Sequence, residues 1–454
     1  RLNRRLCPDI YERVIELRET GAGASFAGNG EVIEYAVMMK RLPGDRMLDV
    51  LVDSGRISVE EIQAVSLEIC RFHSNAATSP RISEFGSLEQ IRSNWRENFE
   101  QTDQFRTSTL PQATFETIRS YVETFTDSHR SLFADRIENG FIRECDGDIH
   151  LGNICLLNKK ACIFDCIEFN ERFRYSDTAA DIAFLLMDLD FHHRPDLANA
   201  ALSAYITASG DTGLVKLITF YKAYRAFIRG KVESLQLLDT GIAQEAHAIA
   251  EKHAIRYFRL AQGYCVRSLL PPTLFITCGT MGCGKSTLAG QLAFELGLAI
   301  FNSDTVRKQL AKVSPETAAQ VSFGEGLHSE EMSRRTYRQL EQLADNELSS
   351  GRSVVIDAGF GTAAGRAEFA RLAASHHSDF VILFVRCDPG EQRRRLIERS
   401  ARGDSVSDGR IELLDQQTSI FEPPDGSEGT VIPCSTSGAP EHTLNAVYER
   451  LLRP

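Results

Sequence analysis

The second half of the chain alternates short apolar runs with amphipathic stretches. Runs that predict buried strands lie at 273–278, 299–302, 353–357 and 380–386, with helix-like segments between them. Strands that alternate with helices favour a parallel sheet covered by helices on both faces. We therefore predict an α/β domain with a three-layer parallel sheet in this half.

The first half is rich in strands only near its start. Strand-like runs at 11–17 and 32–39 flank a glycine-rich turn at 21–30, as in a hairpin. Helical periodicity dominates afterwards, interrupted by short strands and a polar loop at 140–170. The helical segments lie at 58–77, 88–137 and 177–264. This order predicts an α+β domain in which a small sheet precedes a helical lobe.

A proline pair, Pro271 and Pro272, marks the predicted domain boundary. Proline cannot continue a helix and stiffens a connector. A chain of 454 residues is also too long for one hydrophobic core. We expect two domains, residues 1–268 and 269–454. Because the chain begins at Arg1 and not at methionine, we also expect a processed or partial chain.

Composition narrows the classes of protein. The chain is 43% apolar and 25% charged, with a net charge of −11, which argues against a surface that coats nucleic acid but leaves a local basic groove open. We find neither an apolar run of about 18–20 residues nor a signal-peptide pattern, so we expect a cytoplasmic protein without a membrane span. The 11 cysteines are scattered, which favours reduced, buried thiols.

A phosphate-binding loop of the form G-x-x-x-x-G-K-S lies between the strand at 273–278 and a helix-like run at 287–296. Its glycines allow backbone N–H groups to turn onto phosphate oxygens. Lys285 is expected to reach the β- and γ-phosphates of ATP, and Ser286 to bind Mg²⁺. The predicted nucleotide-binding residues are Gly279, Thr280, Met281, Gly282, Cys283, Gly284, Lys285, Ser286 and Thr287.

Two acidic residues follow strands of this half and are candidates for chemistry. Asp304 comes after the strand at 299–302, where its carboxylate could accept the proton of an attacking hydroxyl; the alternative is that Asp304 only caps the next helix. Arg307, one helical turn further on, could hold an acidic acceptor. Asp357 ends the strand at 353–357 and is expected to hold Mg²⁺ directly or through water.

Arginines cluster in the segment 388–403. Arg395, Arg399 and Arg402 have the spacing of one helix face, so this helix could close over ATP as a lid and stabilise charge on the transferred phosphoryl group. The alternative is a solvated helix face paired with Glu391 and Glu398. Upstream of this segment, Arg366 is a further candidate for a functional residue of the C-terminal site.

Together these motifs resemble the small P-loop kinases, which include gluconate kinase, chloramphenicol phosphotransferase, zeta toxins and the 5′-hydroxyl kinase module of phage polynucleotide kinase. The resemblance covers about residues 273 to 430. It implies transfer of a phosphoryl group from ATP, with Mg²⁺, to a hydroxyl. It also implies that Asp304 is the general base and that Arg307 contacts a phosphate of the acceptor.

A second constellation lies in the first half. Asp148 is followed by Asn153 and, at the end of a strand, by Asp165. A carboxylate followed by an amide and a second carboxylate suits a metal–phosphate site. In it, Asp148 would take the acceptor's proton, and Asn153 and Asp165 would hold Mg²⁺.

This constellation resembles the aminoglycoside phosphotransferase family, kin to protein kinases, whose motif reads His-Gly-Asp-x-x-x-x-Asn. The segments 177–181 and Leu42-Pro43 also fit that family's helical lobe and hinge, and the pairing with a P-loop kinase resembles a group of bacterial two-kinase proteins. Asp146 replaces the leading His. The family's phosphate-covering loop and its paired Lys and Glu are expected before Arg1, and Lys40 is a poor substitute for that Lys. Either this chain is partial or this domain is degenerate, so its activity is left open.

We therefore predict a cytoplasmic, two-domain, ATP- and Mg²⁺-dependent phosphotransferase. Its main active site is the C-terminal P-loop kinase, and its acceptor is a hydroxyl of a small molecule or of a nucleic-acid 5′ end. One alternative is a polynucleotide 5′-hydroxyl kinase, and another is a regulatory ATPase that gates the first domain. In a third, the first domain only recruits the substrate. Neither acceptor identity nor oligomeric state is recorded in any motif.

Overall fold

A computed structural model describes residues 1–21, 23–158, 160–313, 329–402, 413–438 and 440–452, apart from the side chains of 399–402 and 440. The chain divides into two compact units, Arg1–Cys265 and Val266–Pro454. Among the helices of these residues, none has the length and apolar character needed to cross a membrane.

The first unit begins with a three-stranded antiparallel sheet. Its strands are β1 (Tyr11–Thr20), β2 (Gly23–Ser25) and β3 (Val32–Met39), in the order β2-β1-β3. The pairing of β1 with β3 runs from Tyr11 opposite Met39 to Arg18 opposite Val32. The sheet is thus built on the hairpin that the glycine-rich turn predicts.

The rest of the first unit is a helical body that encloses two short antiparallel ribbons. Its helices are α1 (Leu48–Asp53), α2 (Val59–Asn75), α3 (Pro80–Ser83), α4 (Leu88–Thr102), α5 (Gln112–Ser128), α6 (Arg130–Glu138), α7 (Glu171–Arg174), α8 (Thr178–Phe191), α9 (Pro195–Ser209), α10 (Ile218–Gln236) and α11 (Gln244–Ser268), whose last turn crosses into the second unit. The ribbons pair β4 (Ile142–Glu144) with β7 (Tyr175–Asp177) and β5 (Ile154–Leu157) with β6 (Lys160–Ile163). All residues of α8 are buried, so this helix forms the centre of the body, with α9 and α10 packed against it.

A disulfide bond joins Cys7, which precedes β1, to Cys162 in β6, with the two Cα atoms 4.9 Å apart. The other nine cysteines are free. The prediction that all cysteines are reduced thiols is therefore wrong for this pair. The two cysteines are 155 positions apart, so their pairing depends on the tertiary fold and leaves no local signal in the sequence.

The second unit is built around a five-stranded sheet in which every pairing is parallel. Its strands are β8 (Thr273–Cys278), β9 (Ala299–Asn302), β10 (Val354–Asp357), β11 (Asp379–Arg386) and β12 (Thr430–Ser435), in the order β12-β11-β8-β10-β9. The helices are α12 (Lys285–Leu296), α13 (Ser303–Leu310), α14 (Glu330–Ser349), α15 (Ala363–Ser375), α16 (Pro389–Arg402), α17 (Leu414–Ser419) and α18 (Pro440–Leu451).

Alternate side chains of the strands point into two separate cores. One core joins Phe275 and Val355 to residues of α12 and α18, and the other joins Ile276 and Ile356 to residues of α13, α14 and α15. The second unit therefore has three layers, as predicted. Because all strands run the same way, the residues that follow β8, β9 and β10 meet at one edge of the sheet.

Candidate functional site

The phosphate-binding loop connects β8 to α12 in a conformation that requires glycine. Gly282 and Gly284 have φ values of +78° and +90°, a region that side-chain-bearing residues rarely adopt. A Cβ added at Gly282 would lie 2.8 Å from Cγ of Leu396, and one at Gly284 would lie 3.0 Å from Oγ1 of Thr436. The loop leads directly into the N-terminus of α12, whose dipole favours a bound anion.

The first residues of α12 suit a nucleotide with Mg²⁺. Lys285 is half-buried, and its Nζ donates to the backbone oxygen of Thr280, 2.8 Å away, so its ammonium lies over the loop. Ser286 and Thr287 are exposed in the first helical turn. The glycine cradle, the ammonium and the exposed hydroxyl of Ser286 are the groups that a Mg²⁺-bound triphosphate needs at this position. These residues therefore fit ATP.

Asp304 and Arg307 lie on the adjacent helix α13 and form an ion pair, with Oδ1 and Nη1 2.5 Å apart. The N-cap of α13 is Asn302, whose Oδ1 accepts hydrogen bonds from the N–H groups of Asp304 and Thr305. The alternative in which Asp304 is merely the cap is therefore wrong. Arg307 is buried, and its Nε has no hydrogen-bond partner among the described residues.

Asp357 ends β10 between the loop and α13. Its Oδ1 accepts a hydrogen bond from Oγ1 of Thr277 at 3.1 Å, and its Oδ2 accepts one from Nδ2 of Asn302 at 2.6 Å. Each carboxylate oxygen can accept a second bond, so Asp357 can still hold Mg²⁺ or its bound water. Thr277 and Asn302 were not among the residues predicted from the sequence. Asn302 carried a usable signal, since Asn before an amphipathic run is a strong N-cap.

Helix α16 contacts the loop through Arg395. Its Nη1 and Nη2 donate to Oγ1 and the backbone oxygen of Thr436, at 3.1 and 2.7 Å, and its Nε donates to Glu391. Arg395 thus lies beside Gly284, where the loop turns into α12. The side chain of Arg399 and that of Arg402 lie outside the described residues.

Glutamine side chains also contact the loop, and sequence analysis missed them. Nε2 of Gln392 donates to Oγ1 of Thr280 and to the backbone oxygen of Met281, at 2.8 and 2.6 Å. Oε1 of Gln417, on α17, accepts from the N–H of Met281 at 2.7 Å. Gln417 lies 136 positions from Met281 in the chain, so no local pattern indicates the contact.

The hypothesis that Arg366 acts in the active site is wrong. Its side chain is 0% exposed, and it forms a bidentate ion pair with Glu428 at 2.6 and 2.8 Å. Its Nη1 donates to the backbone oxygens of Phe360 and Glu422. With its guanidinium occupied by these partners, Arg366 holds two loops together and cannot reach a ligand.

In the first unit, the loop between β4 and β5 joins two of the three predicted residues, Asp148 and Asn153, by hydrogen bonds. Nδ2 of Asn153 donates to the backbone oxygen and to Oδ2 of Asp148, at 3.1 and 3.0 Å. Asp165 follows β6, is exposed, and has a φ of +63°. Non-glycine residues in this region are strained and cluster at functional sites. Burial raises the pKa of Asp148, and the negative charge of Asp165 adds to the shift.

Asp146 lies at the base of this loop and is 3% exposed. Burial, and then the charge of Asp181, raise its pKa well above the usual range, which favours the neutral carboxyl. Asp181 supports the loop directly, since its carboxylate accepts from the N–H groups of Asp146 and Gly147 at 3.0 and 2.9 Å. His73 in turn contacts Asp181 at 3.0 Å. Sequence analysis missed the supporting role of these two side chains.

The comparisons with known proteins concern both units. A family model described as an AAA domain matches residues 274–424. An uncharacterized protein of Mycobacterium tuberculosis H37Rv, Rv2004c, is 31% identical over 380 residues, which cover 84% of this chain and 73% of that protein. This chain belongs to the same family. Because 380 residues exceed the length of either unit, the family likeness extends over parts of both.

Two further similarities concern kinases. A shikimate kinase of Actinobacillus succinogenes is 34% identical over 83 residues, 18% of this chain and 42% of that protein. A sugar kinase structure from Janibacter is 21% identical, covers 40% of this chain and 95% of that one, and has a TM-score of 0.32. The matching family model and the glycine loop that leads into α12 identify the second unit of this family member as a P-loop domain.

Proposed function

We propose that the second unit is an ATP- and Mg²⁺-dependent phosphotransferase that delivers the γ-phosphate to a hydroxyl acceptor. The observation that carries the proposal is the meeting of three elements at one sheet edge. The glycine cradle with Lys285 follows β8, the Asp304–Arg307 pair follows β9, and Asp357 ends β10. A loop, a metal carboxylate and a base-bearing helix are what transfer to a hydroxyl requires.

The residues of this site divide the work of phosphate binding, metal binding and proton transfer. The loop N–H groups and Lys285 hold the phosphates, while Ser286 and Asp357 hold Mg²⁺. Asp304 accepts the proton of the attacking hydroxyl, and Arg307 fixes both this carboxylate and the acceptor. Arg395 is placed beside the loop, where its charge stabilises the transferring phosphoryl group. We keep Arg399 as a second lid candidate on the basis of its sequence position alone.

A polynucleotide 5′-hydroxyl kinase is the second candidate for this site. The buried Nε of Arg307 has no hydrogen-bond partner among the described residues, and a phosphate on the acceptor would supply one. Gluconate and shikimate kinases act on small molecules without such a phosphate. An acceptor screen therefore has to include both kinds of molecule.

The first unit is proposed as a related phosphotransferase-like domain, similar to the aminoglycoside phosphotransferases. The support is the Asn153–Asp148 hydrogen bond, the left-handed conformation of Asp165 and the raised pKa of Asp148. In this proposal Asp148 is the base, and Asn153 and Asp165 hold Mg²⁺. Asp146, held neutral by burial, replaces a histidine as a support of the loop and adds no second negative charge there.

The test is transfer from γ-labelled ATP to gluconate, shikimate, an aminoglycoside, a nucleoside and an oligonucleotide with a 5′-hydroxyl. We expect Lys285→Ala to abolish both nucleotide binding and transfer. We expect Asp304→Asn to bind ATP normally and to lose at least about a hundredfold in transfer rate, the usual contribution of a general base. Asp379→Asn is the matched control, because Asp379 is exposed at the opposite end of the parallel strands.

Two results would overturn parts of the proposal. Undiminished transfer by a folded Asp304→Asn variant would remove its role as the base. A second result concerns hydrolysis: the wild type hydrolyses ATP, Lys285→Ala does not, and no sample contains a labelled acceptor. This result would favour the regulatory ATPase over the kinase.

A further inference from the structure

The first unit contains a cavity of about 350 Å³ beside Asp148. Much of its wall is aromatic, with Trp95, Phe169, Phe184, Phe220, Tyr221 and Tyr224 among the lining residues. Such a wall gains free energy by burying apolar surface and stacks against flat rings. The shape and lining therefore suit a molecule that contains a ring and is no larger than a few hundred Å³.

The carboxylates of the wall are largely neutralised by arginines. Glu97 forms an ion pair with Arg172 at 2.6 Å, and Asp177 forms one with Arg136, also at 2.6 Å. Asp148 is the lining carboxylate that has no guanidinium partner among the described residues. A polycationic ligand needs several unpaired carboxylates to replace its hydration, and this wall offers one.

Lys231 gives the cavity a positively charged anchor. Its Nζ donates to Oδ1 of Asn98 at 2.6 Å and to Oε1 of Gln101 at 2.7 Å, both neutral amide oxygens. An ammonium has three donors, so one remains for a ligand. Burial lowers the pKa of Lys231, the charge of Glu97 offsets only part of this shift, and an anionic ligand would stabilise the ammonium further.

Polar atoms of the lining side chains also lack partners. Nε1 of Trp95, Oγ of Ser176 and Nε of Arg229 are buried, and none has a hydrogen-bond partner in the described part of the chain. Leaving a buried donor unpaired costs about 1–3 kcal/mol. Acceptor oxygens of a bound molecule would relieve this cost after small side-chain adjustments.

We propose that this cavity binds a ring-bearing hydroxyl compound that is neutral or singly anionic, with its anionic group at Lys231 and its hydroxyl toward Asp148. Polycations such as aminoglycosides are excluded, although the domain that holds the cavity resembles their phosphotransferases. The proposal does not rest on the P-loop site, because binding to the cavity requires no ATP.

The chain contains one tryptophan, Trp95, which lines this cavity and a second pocket beside Arg92 and Phe99, so its fluorescence reports on this part of the first unit and the variants below assign the signal to the cavity. We would titrate the full chain with three compounds that share a phenol ring and a two-carbon arm: 4-hydroxyphenylacetate, tyrosol and tyramine, which carry an anion, a neutral hydroxyl and a cation. Kanamycin is the polycation. We expect 4-hydroxyphenylacetate to bind at least about tenfold more tightly than tyramine, which is about 1.4 kcal/mol, and kanamycin to leave the emission unchanged.

Two variants locate the preference. Lys231→Gln should remove the tenfold difference while tyrosol still binds, whereas Lys216→Gln, which changes an exposed lysine of the same unit, should leave all affinities unchanged. Lys285→Ala should also leave them unchanged, which separates this proposal from the P-loop proposal. The inference is overturned if tyramine or kanamycin binds as tightly as the anion, if no compound changes the emission at millimolar concentration, or if folded Lys231→Gln keeps the preference.

Discussion

Replacing Arg366 by Met is expected to destabilise the second unit without changing its chemistry. The guanidinium is 0% exposed and bonds both oxygens of Glu428 and two backbone oxygens. Removing one partner of a buried pair typically costs about 3–5 kcal/mol. For a domain of 150–250 residues, each kcal/mol lowers Tm by about 2–4 °C, so we expect a fall of about 6–20 °C.

Differential scanning calorimetry measures this fall, and the proposed binding of Mg²⁺ and ATP is expected to raise the Tm of the second unit, which identifies its transition. Arg371→Met is the matched control, since Arg371 lies on the same helix and is exposed. Replacing Glu428 by Leu in the Arg366→Met background should recover part of the loss, because no carboxylate is then left unpaired.

The reasoning is refuted if Arg366→Met keeps its Tm within about 1 °C, less than the smallest loss a buried pair would give. It is also refuted if the variant stays folded at low temperature but loses phosphoryl transfer. That second result would show that Arg366 takes part in phosphoryl transfer.

Two further predictions test local features. In Gly282→Ala the new Cβ would lie 2.8 Å from Leu396, and the residue would have to keep a left-handed conformation, so ATP binding measured by fluorescence anisotropy should weaken at least tenfold. Gly290→Ala is the control, because a Cβ there meets open space. Equal affinities of the two variants would contradict the role of the glycine loop in phosphate binding. The pKa of Asp146 is higher in the folded than in the unfolded protein. The contribution of this carboxyl to the free energy of unfolding is therefore complete below its unfolded pKa and is lost as the pH rises through its folded pKa. Urea unfolding followed by Trp95 fluorescence measures the free energy of unfolding. Between pH 5 and pH 8 this free energy should fall less in Asp146→Asn than in the wild type. An equal fall in both proteins would count against a neutral Asp146.

Features encoded over a few residues could be predicted from the sequence. The apolar runs predicted β8, β9, β10 and β11 of the second unit, because strands of a parallel sheet that is covered on both faces are apolar, whereas β12 was not predicted. The spacing of Asp304 and Arg307 placed them one helical turn apart, and the two side chains form an ion pair at 2.5 Å. Gly279, Gly282 and Gly284 of the phosphate-binding loop adopt positive φ values, which glycine reaches most readily.

Features that depend on distant segments could not be predicted. Nothing near Arg366 shows that Glu428, 62 positions away, occupies its guanidinium, and nothing near Cys7 indicates Cys162. The cavity beside Asp148 is likewise assembled from segments far apart in the chain.

The sequence alone therefore determined most strands and helices of the second unit and the conformation of its glycine loop, because backbone conformation depends on neighbouring residues. The tertiary structure decided which charges are buried, which are paired and which remain for a ligand. Burial and pairing are set by the segments that meet in space, and a linear pattern does not contain that information.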